Sequence, residues 1–164
     1  LFHIATVNRQ AFLPRSESKI VLALVLASYA FALRRLVLSI VRVFTPIDQP
    51  PSSFAAYGPW LEAADYLVLF PIVAAVVLVA TIELLRLMRL PVVLQIVLAA
   101  AGSCAINAVF CWPMGLVVAP QFLLGGYAYL RWRSDSWWVA LGYTMLIFFF
   151  QALAYSIDVF AIAT

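Results

Sequence analysis

The sequence predicts an all-α fold, a polytopic transmembrane helical bundle of about five spans. Three observations predict it. First, 66% of the 164 residues are hydrophobic and 10% are charged, against about 45–50% and about 25% in soluble domains. Second, ten Lys or Arg and seven Asp or Glu cannot cover the surface of a soluble domain of this size, and the mean hydropathy is +1.07. Third, the apolar residues gather into runs near the roughly 20 residues that cross a bilayer core as helix. This composition excludes a disordered tail, a secreted disulfide scaffold and a nucleic-acid-binding domain. The pI of 9.1 reflects a net charge of only +3, and basic residues beside apolar runs are topology signals. The partners implied are membrane lipids and other membrane-protein chains, with no nucleic acid.

Residues 1–19 form an amino-terminal cytoplasmic or interfacial segment. It carries Arg9, Arg15 and Lys19 without a long apolar core, so it does not read as a secretory signal. Residues 20–44 read as a first span plus an interfacial turn. Ile20 to Leu33 is uninterrupted, then Arg34-Arg35 intervenes, about 22 Å of helix rise from Lys19, where both arginines can snorkel to the far interface. The piece around Val37, Ile40, Val41 and Phe44 then lies along the surface.

Residues 45–65 are a Pro-rich extracytoplasmic loop. TPIDQPPSSFAAYGPW holds four prolines, a glycine and Asp48, and its Pro-Pro and Gly-Pro dipeptides mark turns. Residues 66–164 read as a four-helix membrane bundle. Tyr66 to Leu85 is nearly pure Val, Leu, Ala and Ile, and Pro91 to Cys111 follows after a short link. Gly115 to Leu130 is shorter and interrupted by Pro120 and Gly125-Gly126. Ser136 to about Ala161 opens on Trp137-Trp138, an interfacial aromatic pair.

Charge sorting orients these spans. With Arg86, Arg89, Arg131 and Arg133 in cytoplasmic loops, Arg9, Arg15 and Lys19 fall on the same side, and Asp48, Glu62, Asp65 and Asp158 fall opposite. Arg34, Arg35 and Arg42 are the exception to the positive-inside rule. The amino end is then cytoplasmic and the carboxyl end extracytoplasmic, with a bacterial inner membrane as the expected location.

Ionisable groups inside a membrane are expensive, which makes Glu83 the main candidate site residue. Arg86, three residues on, is within reach of it on a helix. Asn107, Gln95, Gln121 and Gln151 are the other mid-span polar groups, expected to make interhelical amide hydrogen bonds. Ala99, Gly102 and Ala105, with Gly125 and Gly126, are small enough for a neighbouring helix to approach closely. His3 has no companion histidine, and no metal or cofactor motif occurs. Cys104 and Cys111 lie about 10 Å apart along a helix, too far for a disulfide between them.

From Ile82 onward the order of features resembles the CPBP family, the CAAX-protease and bacteriocin-processing membrane proteins. Ile82-Glu83-Leu84-Leu85-Arg86 stands where that family has Glu-Glu-x-x-x-Arg. Asn107 to Met114 stands at its Phe-x-x-x-His helix, and FLLGGYAYLRWRSDSWW, Phe122 to Trp138, is similar to its glycine-rich helix. The resemblance covers the carboxyl-terminal half. It implies a helical membrane fold in which glutamate activates water while histidine and asparagine support the developing charge. Here the glutamate is single, Arg86 is three residues after it rather than four, and Met114 takes the histidine position after Phe110. Tyr143 or Thr144 takes that of the final histidine, and Ile147 or Phe148 that of the asparagine.

A general base and an oxyanion donor are both needed for such chemistry, so the resemblance implies an inactive relative. The expected function is a non-catalytic accessory or scaffold subunit of a larger membrane assembly. The alternatives are a divergent glutamic intramembrane protease using Glu83 with Arg86 or Asn107, and a small transporter or channel component.

Overall fold

Prolines set most of the helix boundaries in this chain. The computed structural model describes residues 18–45, 61 and 64–163, and these form helices without a strand among them. Six helices follow in order: α1 (Lys19–Phe44), α2 (Phe70–Leu87), α3 (Val92–Phe110), α4 (Trp112–Val117), α5 (Ala119–Trp132) and α6 (Trp137–Ala163). A π-helical turn, Asp65–Leu69, leads into α2. Four helices are long and apolar enough to cross a membrane: α1, α2 with its π turn, α3 and α6. The chain is a membrane-integral, all-α bundle. His3, Arg9, Arg15, Asp48, Glu62 and nearly all of the Pro-rich loop lie outside the described residues.

No proline or glycine occurs between Lys19 and Phe44, and α1 runs unbroken for 26 residues, about 39 Å of rise. The interfacial turn expected at Arg34-Arg35 is therefore not found: charge alone does not end a helix whose backbone bonds are all made. Thr45, with extended backbone, closes it. The π turn has its own cause. Pro71 has no N–H to give and crowds the carbonyl a turn before it, and Phe70 instead bonds back to Asp65, five residues away.

At the other end of α2, Arg89 takes a φ of 57° and bonds its N–H to the Arg86 carbonyl. That is the left-handed position just past a helix end where glycine is usual. Pro91 then caps α3, accepting from the Gln95 N–H.

The single span expected over Gly115 to Leu130 is two helices, a six-residue α4 and a 14-residue α5. Extended Cys111 turns the chain, and Pro113 and Pro120 each lie in the first turn of a new helix, where a missing N–H costs nothing. The break is at Val118. Gly115 lets α4 fold back on α3: a Cβ there would lie 2.8 Å from both the Ala108 Cβ and the Cys104 carbonyl.

Helices α5 and α6 are antiparallel, since Trp132 stacks at 4.9 Å on Tyr143 and Phe122 at 5.3 Å on Phe148. Ala23, Ala27, Ala75, Leu78, Ile82, Phe122, Tyr129, Ile147 and Phe148 form much of the core. Gly125 admits the Phe148 ring, which a Cβ would meet at 2.8 Å. Large apolar side chains such as Leu87, Val93 and Val109 face outward, as lipid permits.

Candidate functional site

Glu83 lies one turn before the end of α2, and its carboxylate gathers donors from two helices. Arg86, on the same face by its i,i+3 spacing, donates Nη1 to Oε1 at 2.7 Å and to Oε2 at 2.8 Å. From α5, the Tyr129 hydroxyl donates to Oε1. Arg133, just past the end of α5, donates Nε to the same oxygen at 2.8 Å. Tyr129 and Arg133 are four apart, so one helical face delivers both.

The Tyr129 ring is fully buried in the core, which fixes where its hydroxyl ends. The Glu83 side chain keeps 30% of its exposure, Arg86 38% and Arg133 32%, so the cluster sits at the rim of the bundle. The bond to Glu83 raises the Arg133 pKa above its ordinary value and keeps the guanidinium charged. Nearby at the same end, Lys19 at the start of α1 pairs with Asp135 in the turn between α5 and α6.

An ionised carboxylate only accepts, and Oε1 already accepts from three groups. A general base needs an oxygen facing the proton it will take. This arrangement ties α2 to α5 and holds two cations against one anion.

The other sequence candidates go elsewhere. Asn107 bonds the Ser103 carbonyl on its own helix, about 22 Å of rise from the start of α3, at the end opposite Glu83. Gln95 bonds the Leu90 carbonyl. Of the four amides only Gln151 makes the expected interhelical bond, to the Ala27 carbonyl of α1. The nearest carbonyl along the chain wins for Asn107 and Gln95. Gln121 is 1% exposed and its Nε2 has no partner among the described residues; it lies about 12 Å of rise from Tyr129. Glu83, Asn107 and Gln121 do not converge.

Among the small residues, Ala99 is buried while Gly102 and Ala105 are exposed, and a Cβ on Gly102 would meet nothing within 4 Å. The close approach expected at Gly102 is absent among the described residues, because the inward face of α3 is that of Ala99, Ala100 and Ser103. Gly125 and Gly126 do meet neighbouring helices. Sequence reasoning missed Gly115, Tyr129 and Arg133. The Tyr-x-x-x-Arg spacing at the end of an apolar helix was the available signal.

At the family-like positions, Thr144, Ile147 and Phe148 are buried, and the Thr144 hydroxyl bonds the Ala140 carbonyl. Cys104 and Cys111 are free thiols, and no cluster of metal-ligating residues occurs among the described residues. No protein-family model, curated protein or solved structure matches this chain.

Proposed function

We propose that this chain is a non-catalytic integral membrane protein, an accessory or scaffold subunit that docks on a larger membrane assembly. The observation that carries this reading is the engagement of Glu83, with three donors on Oε1 and Arg86 on Oε2. Its carboxylate accepts from Tyr129, Arg86 and Arg133, which suits a tie between helices and not a base that activates water. The outward strip of α3 that includes Gly102, Ala105, Ile106 and Val109 supports docking, since small residues let a second chain's helix approach. We read the likeness to the CPBP family as that of an inactive relative, supported by Met114 and by Tyr143 or Thr144 at the histidine positions. A bacterial inner membrane, with the amino end cytoplasmic, fits the cations gathered at the Glu83 end.

Native purification in mild detergent, with identification of co-migrating chains, tests the reading directly. Glu83→Gln is its second arm. The amide keeps the shape and accepts through one oxygen, so the variant assembles, retains its partner and leaves co-expressed membrane proteins unprocessed to the same degree as wild type. A variant that assembles normally but abolishes a cleavage seen with wild type overturns the subunit reading in favour of a glutamic protease.

A further inference from the structure

The end of the bundle that holds Glu83 carries Lys19, Arg86, Arg89, Arg131 and Arg133 against the carboxylates of Glu83 and Asp135. Lys19 is paired with Asp135. Glu83 is shared by two guanidiniums, and one carboxylate cancels one charge, so this cluster keeps an uncompensated positive charge. Each guanidinium has five N–H donors. Glu83 draws on Nη1 of Arg86 and on Nε of Arg133, and no other carboxylate among the described residues takes what remains. Arg89 adds a third cation one helical turn beyond Arg86. It is exposed and held by the backbone at a φ of 57°.

What adjoins this cluster is apolar. Leu84, Leu87 and Met88 share a face of α2 next to that of Glu83 and Arg86, and they are 61%, 81% and 64% exposed. Trp138 at the start of α6 is also exposed, as interfacial tryptophans are. A cationic rim continuous with an exposed apolar face matches a ligand with an anionic head and hydrocarbon chains. A free phosphate matches the head alone.

We propose that Arg86 and Arg133, with Arg89 beside them, bind the phosphate of an anionic phospholipid whose acyl chains lie along Leu84 and Leu87. Basic pockets between membrane helices recognise such headgroups. Glu83 then has a second effect: it competes with the lipid phosphate for the same guanidiniums and tempers the site. The proposal is independent of whether the chain is a subunit or an enzyme.

The experiment uses the full chain, purified in mild detergent, delipidated and exchanged into nanodiscs of phosphatidylcholine with phosphatidylglycerol. Retained lipid is counted by native mass spectrometry. Wild type retains phosphatidylglycerol in excess of its share. Arg89→Gly lowers that excess about fivefold, the contribution of one surface arginine, and relaxes a left-handed backbone, so unfolding does not account for the loss. Glu83→Gln raises retention, because a neutral amide no longer competes by charge for the two guanidiniums. Arg42→Gln, at the other end of α1, leaves it unchanged. Retention in proportion to the lipid mixture overturns the proposal, as does a loss in Arg42→Gln equal to that in Arg89→Gly. Displacement of the lipid by millimolar inorganic phosphate also overturns it.

Discussion

A carboxylate near the end of an apolar helix has to be compensated, and Glu83 is compensated by one residue of its own helix and two brought by α5. The first partner was legible, because three-residue spacing puts Arg86 beside Glu83 on any helix. The other two were not: no period links position 83 to 129 or 133, and only the packing of α2 on α5 joins them. Removing the Tyr129 hydroxyl tests the weight of that contact. Tyr129→Phe lowers stability by about 1 kcal/mol, in the range of interhelical hydrogen bonds in membranes, read as a lower unfolding temperature in detergent. In a cycle with Glu83→Gln the two effects are not additive, since both variants alter the same contact. Gln121 is the converse case. Its buried Nε2 lacks a partner among the described residues, so Gln121→Leu removes an unpaired donor and leaves the unfolding temperature unchanged or higher. A large drop would mean that the amide has a partner after all.

At the scale of elements, α2 with its π turn, α3 and α6 were legible to within about two residues, because each is a long, mostly apolar run set off by short polar or proline-bearing links. Two features were not. Arg34-Arg35 reads as an interruption in hydropathy but offers the backbone no reason to stop, and α1 continues. The α4–α5 break needed the two prolines read as helix starts rather than as flaws in one span. The inward face of α3 was also unreadable, because Ala99 to Ala105 is small all round and has no amphipathic direction; only contacts choose the side. That choice reverses the expected sensitivities. Gly115→Ala drives a methyl into Cys104 and Ala108, where backbone cannot yield, and lowers stability by about 1–3 kcal/mol. Gly102→Leu leaves the stability of the isolated chain unchanged and weakens retention of a partner chain. Thermal unfolding and co-purification of the two variants separate these outcomes, and the opposite pattern would put the close contact back at Gly102.

For the whole molecule, the chain reads as a charge-sorted bundle, with one end rich in arginine. Cysteines introduced at Ser134 and at Ser52, with Cys104 and Cys111 replaced by alanine, report its orientation. An impermeant thiol reagent applied to intact cells labels the Ser52 variant and spares the Ser134 variant. Equal labelling of both would break the alternation of spans between them. The helical membrane class was legible in composition alone, whereas the function was not, because Glu83 pairs with arginines, Asn107 and Gln95 bond nearby carbonyls, and these groups do not converge.

The contact between Gln151 and the Ala27 carbonyl joins positions 124 residues apart, and that between Lys19 and Asp135 spans 116. Both fasten α1 to parts of the chain synthesised more than a hundred residues after it. During translation α1 therefore waits in the bilayer, and its packing is complete only once both α5 and α6 have arrived. Arrival of α6 is thus what adds the Gln151 tie to α1. A nascent chain released before α6 keeps Asp135 but lacks the Gln151 bond and the packing of α6 on α1, so α1 is held more loosely, and a quality-control protease that surveys loose membrane helices has a ready means of telling a chain with α6 from one without it.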